Sequence, residues 1–133
     1  MTFISQTTRP LSTPDILVPD VVCDASVVVG DWVRMNASNI AVKALADNAD
    51  NSNTIGLVEE KITATKCVVR VAGVSRSLFV GLDATKEYFL SASSLGEMTL
   101  TPPTGSGEIV LVLGQPFDGT RFLVQKGTRF RRS

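Results

Sequence analysis

Short runs of β-branched and other apolar residues recur along most of the chain, separated by turn-forming residues. From residue 16 onward, apolar clusters alternate with Gly, Pro, Asn, Asp and Ser at a spacing of roughly 8–12 residues. Short strands at such a spacing are typical of β-sandwiches and β-barrels. The pattern therefore predicts an all-β protein: a compact sandwich or barrel of about ten short, mostly antiparallel strands, without a long helix.

The predicted strands differ in how many of their faces should be buried. In "TKCVVRVAGV" (65–74), Cys67, Val69 and Val71 share one face, and Gly73 should interrupt or bulge the strand. The run "IVLVLG" (109–114) is apolar throughout, so we expect both of its faces to be covered. The strand-like segments are 16–18, 21–23, 27–29, 30–35, 54–62, 65–74, 77–83, 87–91, 95–101, 109–114 and 120–127.

One segment, residues 37–54, fits two local structures. Ser38 is a suitable helix N-cap, and Ile40, Ala44 and Leu45 fall near one face of a helix. The same residues also fit a strand, "IAVKA", that leads into the Asn/Asp-rich loop 47–53. The strand-like neighbours favour the strand, while a short helix remains the alternative.

The two ends of the chain differ in composition from its middle. Residues 1–15 are rich in Ser, Thr and Pro, and Pro10 and Pro14 oppose regular hydrogen bonding there, so an extended N-terminal arm is expected. The β domain should occupy residues 16–127. A basic C-terminal tail should follow at 128–133, where Arg129, Arg131 and Arg132 surround Phe130.

Composition and charge narrow the class of protein. The 133 residues are 44% hydrophobic and 20% charged, which is enough apolar material for one folded domain. Residues 1–60 contain eight acidic and three basic side chains, and residues 61–133 contain five acidic and ten basic ones. The halves therefore carry net charges of −5 and +5, a separation that can steer one subunit onto another. Overall neutrality disfavours a dedicated nucleic-acid binder.

No targeting or membrane segment is expected from the pattern. No run approaches the roughly 18 apolar residues of a membrane helix, and the first residues lack the charged and apolar regions of a secretory signal. Synthesis in a cytoplasm and no membrane association are the expectation. The two cysteines, Cys23 and Cys67, lie in apolar strand-like contexts and are predicted to be buried free thiols.

Residues suited to catalysis are scarce. The chain has no histidine, which removes the commonest general base and metal ligand. Glu59 and Glu60 are adjacent, so on a strand they point to opposite faces. In the Asn/Asp loop, Ala49 and Ser52 occupy positions where a calcium loop needs a ligand and a glycine, and only a looser cation site remains conceivable. We expect neither an enzyme nor a cofactor.

The order of turns and strand starts resembles a known domain. The segments "VVVGDWVRM", "TIGLVEEK", "CVVRVAGV", "FVGLDATKEYFLSASSLGEMTLTPPTGSGEIVLVLG" and the final "FLVQKG" are similar to a small β domain of tailed-phage virion structural proteins. That domain occurs in capsid decoration (cement) proteins and in fibre-associated modules. The resemblance covers about residues 20–127.

The resemblance implies a non-catalytic structural protein of the virion, often a homotrimer. The leading interpretation is a capsid decoration protein on the capsid surface that binds the major capsid protein or other virion subunits. A tail or head fibre-associated module that recognises the host surface, through Trp32, Tyr88 and the Asn/Asp loops, is the alternative. The partner-binding candidates come from the two ends of the chain: Phe3, Ile4, Arg9, Leu11, Arg129, Phe130, Arg131 and Arg132.

Overall fold

The computed structural model describes residues 15–133, which form strands and loops without a helix. The all-β prediction is confirmed, and the described residues contain eleven strands where about ten were predicted. All of the predicted arm except Asp15 lies outside the described residues. The strands are β1 (Ile16–Val22), β2 (Trp32–Met35), β3 (Ala41–Lys43), β4 (Thr54–Thr63), β5 (Lys66–Val74), β6 (Tyr88–Leu90), β7 (Met98–Thr99), β8 (Ile109–Val110), β9 (Val112–Pro116), β10 (Phe122–Val124) and β11 (Phe130–Arg131).

Nine of these strands form one curled sheet. Its order is β3-β2-β4-β5-β10-β9-β6-β7, and β1 pairs with β5 beside this path. All pairings between named strands are antiparallel, as predicted. A parallel bridge between Cys23 and Ala41 brings the end of β1 back to β3, so the sheet curls as a half-barrel. β8 and β11 form a separate two-stranded sheet.

Strand β5 joins the two halves of the curled sheet. It pairs with β1 between Lys66 and Ala72, with β4 between Lys66 and Arg70, and with β10 at Gly73 and Val74. Gly73 has a φ of 100°, a left-handed conformation that strains any other residue. A side chain there would also lie 3.2 Å from the Cα of Asp15. β5 continues through Gly73 to Val74, so the predicted interruption of the strand is wrong, and Gly73 is instead where the pairing with β10 begins.

Two clusters of buried side chains fill the domain. The valine core, inside the curl of β1 to β5, consists of Val21, Cys23, Val27, Val33, Ala41, Val58, Cys67 and Val69. Both cysteines are free and buried, as predicted. In the aromatic core, Phe122 makes edge-to-face contacts with Trp32 at 5.4 Å and Tyr88 at 5.9 Å between ring centroids. Such contacts add to the apolar burial of the rings.

Several local predictions have clear outcomes. Residues 37–46 contain strand β3 and no helix, so the strand interpretation is confirmed. The run 109–114 is largely buried as predicted, although it divides into β8 and β9 at Leu111. The predicted strands at 27–29 and 77–83 are wrong, since both segments are loops. Their apolar residues still pack: Val27 belongs to the valine core and Leu78 lies against the aromatic core.

Candidate assembly surface

The C-terminal residues 126–132, which we call the basic segment, lie against the domain. The Lys126 Nζ donates to the Thr54 carbonyl at 2.6 Å, and the Gly127 N–H donates to the Val112 carbonyl at 2.9 Å. Phe130 and Arg131 form β11, which pairs with β8. The predicted tail is thus bonded to the domain over most of its length.

The Asn/Asp loop 47–53 forms one wall beside the basic segment. Its shape comes from its own side chains, because Asn48 Oδ1 accepts the Asn51 N–H at 2.8 Å and Asn51 Nδ2 donates to Asp47 at 2.9 Å. These local bonds are the reason Asn and Asp favour tight loops. Arg129 Nη1 joins the two walls by donating to the Ala49 carbonyl at 2.6 Å and to Ser52 Oγ at 3.0 Å.

An open cleft of about 420 Å³ lies between the loop and the basic segment. It is lined by Asp47, Asn48, Ala49, Asp50, Gly107 and Arg131. Within residues 15–133, no group of three or more His, Cys, Asp or Glu side chains is placed to hold a metal ion. The cleft therefore presents carboxylates on one wall and an arginine on the other, an arrangement suited to a polar or charged surface of another protein.

The basic segment carries unneutralised positive charge. Within the described part of the chain, Lys126, Arg129, Arg131 and Arg132 form no ion pair. Partial burial of its ammonium group, with the charge of Arg129 close by, lowers the pKa of Lys126. Phe130 is 56% exposed between two of these arginines. An exposed aromatic ring among cations is a common composition of protein contact surfaces.

A second exposed surface lies on β1. Ile16, Leu17, Val18 and Val22 are each between 39 and 45% exposed, although they are large apolar side chains in a strand. Within residues 15–133, Ile16–Val22 has a strand partner on one edge only, namely β5, and β3 is bridged only beyond its end, at Cys23. An exposed apolar strand with a free edge is a template for pairing with another chain.

The sequence identified part of these surfaces. Arg129, Phe130, Arg131 and Arg132 lie together beside loop 47–53, whereas Phe3, Ile4, Arg9 and Leu11 lie outside the described residues. The exposed β1 surface was not predicted from the sequence. The sequence signal for an edge strand was Pro19 in "DILVPDVVCD", because proline within a sheet is confined to edge strands, strand ends and bulges.

The fibre interpretation assigns Trp32 and Tyr88 to contact with a host surface, but both side chains lie in the interior of the domain. Trp32 is fully buried and Tyr88 is 8% exposed, and both belong to the aromatic core. The Tyr88 hydroxyl accepts the Asp83 N–H at 3.0 Å. The Trp32 ring is not available as a contact surface, so that part of the fibre interpretation is wrong, whereas the small exposed part of Tyr88 lines a cleft beside loop 77–83.

Comparison with known proteins identifies no relative of this chain. No protein-family model, no curated protein and no solved structure matches the chain. Residues 15–133 also contain no helix long and apolar enough to cross a membrane.

Proposed function

We propose that this protein is a virion structural protein, and specifically a capsid decoration protein that binds the assembled shell of a tailed phage. The observation that carries the proposal is the exposure of apolar side chains on two edge strands of a well-packed domain, β1 and β11. Contiguous exposed apolar surface is unusual on a monomer and is typical of protein contact sites. The resemblance in the order of turns and strands supplies the virion context.

The mechanism is stabilisation by binding. A protein that binds the assembled shell, and not its separate subunits, stabilises the shell by its binding free energy. The basic segment, through Arg129, Phe130, Arg131 and Arg132, would contact the major capsid protein or another virion subunit. The N-terminal arm, through Phe3, Ile4, Arg9 and Leu11, would extend the contact, for example as a strand added to a partner's sheet. Copies of the chain would act as a homotrimer.

A fibre-associated role is the second candidate, and one observation favours it. The loop 77–83 presents Val80 at 87% exposure above a cleft of about 350 Å³ whose lining includes Phe79, Leu82 and Met98. A protruding apolar loop tip is suited to contact with a host surface. In that role the protein would be needed for adsorption and not for shell strength.

Add-back to shells lacking the chain tests the proposal. The full chain should bind such shells and raise the temperature at which they rupture, measured by light scattering and electron microscopy. A chain lacking residues 1–14 keeps Asp15 and its bond to Arg70, so it should melt like the full chain but bind shells more weakly.

Two outcomes would count against parts of this proposal. Full chain that does not bind, or that leaves the rupture temperature unchanged, contradicts the decoration role. Equal shell binding by the full and shortened chains would remove the arm from the contact.

A further inference from the structure

Two edge strands of the domain share an unusual exposure. In β1, every residue from Ile16 to Asp20 is exposed, and in β11 both Phe130 and Arg131 are exposed. Successive residues of a strand point to opposite faces, so each of these strands is exposed on both faces. By contrast, the edge strands β3 and β7 have only buried or half-buried side chains. Each of β1 and β11 also pairs along one edge only within the described residues.

The charges beside the two strands have opposite sign. Asp20 lies within β1 and Asp24 follows it, while Arg129, Arg131 and Arg132 lie within or beside β11. Some of the acidic charge is offset locally, since Lys66 Nζ is 3.3 Å from Asp20. Across the cleft from Arg131, Asp47 and Asp50 offset part of the basic charge. The side chain of Asp20 is nevertheless 71% exposed. Within residues 15–133, Arg129, Arg131 and Arg132 form no ion pair.

These signs discriminate between ways of covering the two strands. Pairing β1 with β1 of a second copy would place aspartates near aspartates, and pairing β11 with β11 would place arginines near arginines. Like charges brought together at an interface are strongly unfavourable. Pairing β1 of one copy with β11 of the next brings opposite charges together and covers Leu17, Val18 and Phe130.

We propose that the partner of the β1 edge is the β11 edge of a second copy of this chain. The two contacting surfaces are different, so the contact is head-to-tail, and a head-to-tail contact closes into a ring when the rotation between copies allows. This inference deepens the homotrimer part of the proposed function. The two proposals can be separated by experiment. A protein that self-associates but does not bind shells would contradict the decoration role and leave the β1–β11 contact standing.

Charge reversal with compensation tests the contact on the purified full-length chain. The acidic-edge variant is Asp20→Lys, and the basic-edge variant combines Arg131→Glu with Arg132→Glu. A third variant carries all three changes, and Lys86→Glu, on an exposed loop outside both strands, is the matched control. Association is measured by sedimentation velocity at low salt, and circular dichroism melting confirms that each variant is folded.

The wild type should associate beyond the monomer, and added salt should weaken that association. Each reversed edge should weaken it about tenfold or more, the combined variant should recover most of the loss, and Lys86→Glu should match the wild type. A monomeric wild type at every concentration reached would overturn the proposal. So would unchanged association in the basic-edge variant, which indicates β1–β1 pairing, or a combined variant no tighter than the single-edge variants.

Discussion

At the scale of single residues, Arg70 on β5 and Glu59 on β4 form a buried ion pair. Arg70, only 8% exposed, bonds through Nε to Glu59, which is 3% exposed, and through Nη1 to Asp15 at the start of β1. A charge taken out of water is tolerated when a hydrogen-bonded partner of opposite sign is present. Arg70, on β5, therefore connects to β4 through Glu59 and to the residue before β1 through Asp15.

Replacing Arg70 with Met should destabilise the fold. The substitution keeps most of the apolar stem but leaves the Glu59 carboxylate buried without its main partner, so the free energy of unfolding should fall by about 3–5 kcal/mol. Urea denaturation measures the loss. Lys66→Met is the control, because Lys66 and Asp20 have side chains that are 41% and 71% exposed and their pairing at 3.3 Å should contribute about 1 kcal/mol or less. Equal losses in the two variants would contradict this description of Arg70.

At the scale of elements, the run 109–114 is central to the packing. Ile109, Leu111 and Leu113 belong to the aromatic core, and the Leu111 carbonyl accepts the Leu90 N–H at 3.1 Å. Because the neighbouring Val110 is also buried, this stretch has apolar contacts on both faces. A run without polar alternation is what such a position requires.

Placing a charge in this run should unfold the domain. In Leu113→Asp, the carboxylate would replace a fully buried side chain among the apolar residues of the aromatic core, so we expect loss of the cooperative melting transition. The matched control is Leu100→Asp, since Leu100 is 44% exposed and should tolerate the change. A normal melting temperature for Leu113→Asp would show that the run is not interior.

The element scale also shows how far the sequence could be interpreted. Fold class, the strand at 41–43, the buried run 109–114 and the buried thiols followed from apolar periodicity. The segments 27–29 and 77–83 have strand composition but reach the cores as loops, and the Lys61 Nζ donates to the Val27 carbonyl at 2.5 Å. Composition reports burial, whereas strand formation also needs a hydrogen-bonding neighbour, which depends on distant residues.

The same limit applies to the candidate surface. The arginines of the basic segment were identified because local positive charge is visible in sequence. Their position beside loop 47–53 was not, since the bonds from Arg129 to Ala49 and Ser52 join residues nearly eighty positions apart. The exposure of β1 was also missed, because a strand of consecutive apolar residues normally indicates burial.

At the scale of the whole molecule, a well-packed interior coexists with two uncovered edges. The valine and aromatic cores fill the interior of the domain with buried side chains. In contrast, β1 and the basic segment leave apolar groups and unpaired charge in contact with solvent. We propose that the protein functions as a repeated subunit of a larger particle.

The copy number of the chain in purified phage particles tests that claim most directly. Quantitative mass spectrometry against the major shell protein, with antibody labelling in electron micrographs for location, gives both values. We predict a copy number comparable to that of the shell subunit, with label distributed over the capsid surface. Absence from the particles, or a few copies confined to the tail, would contradict the account.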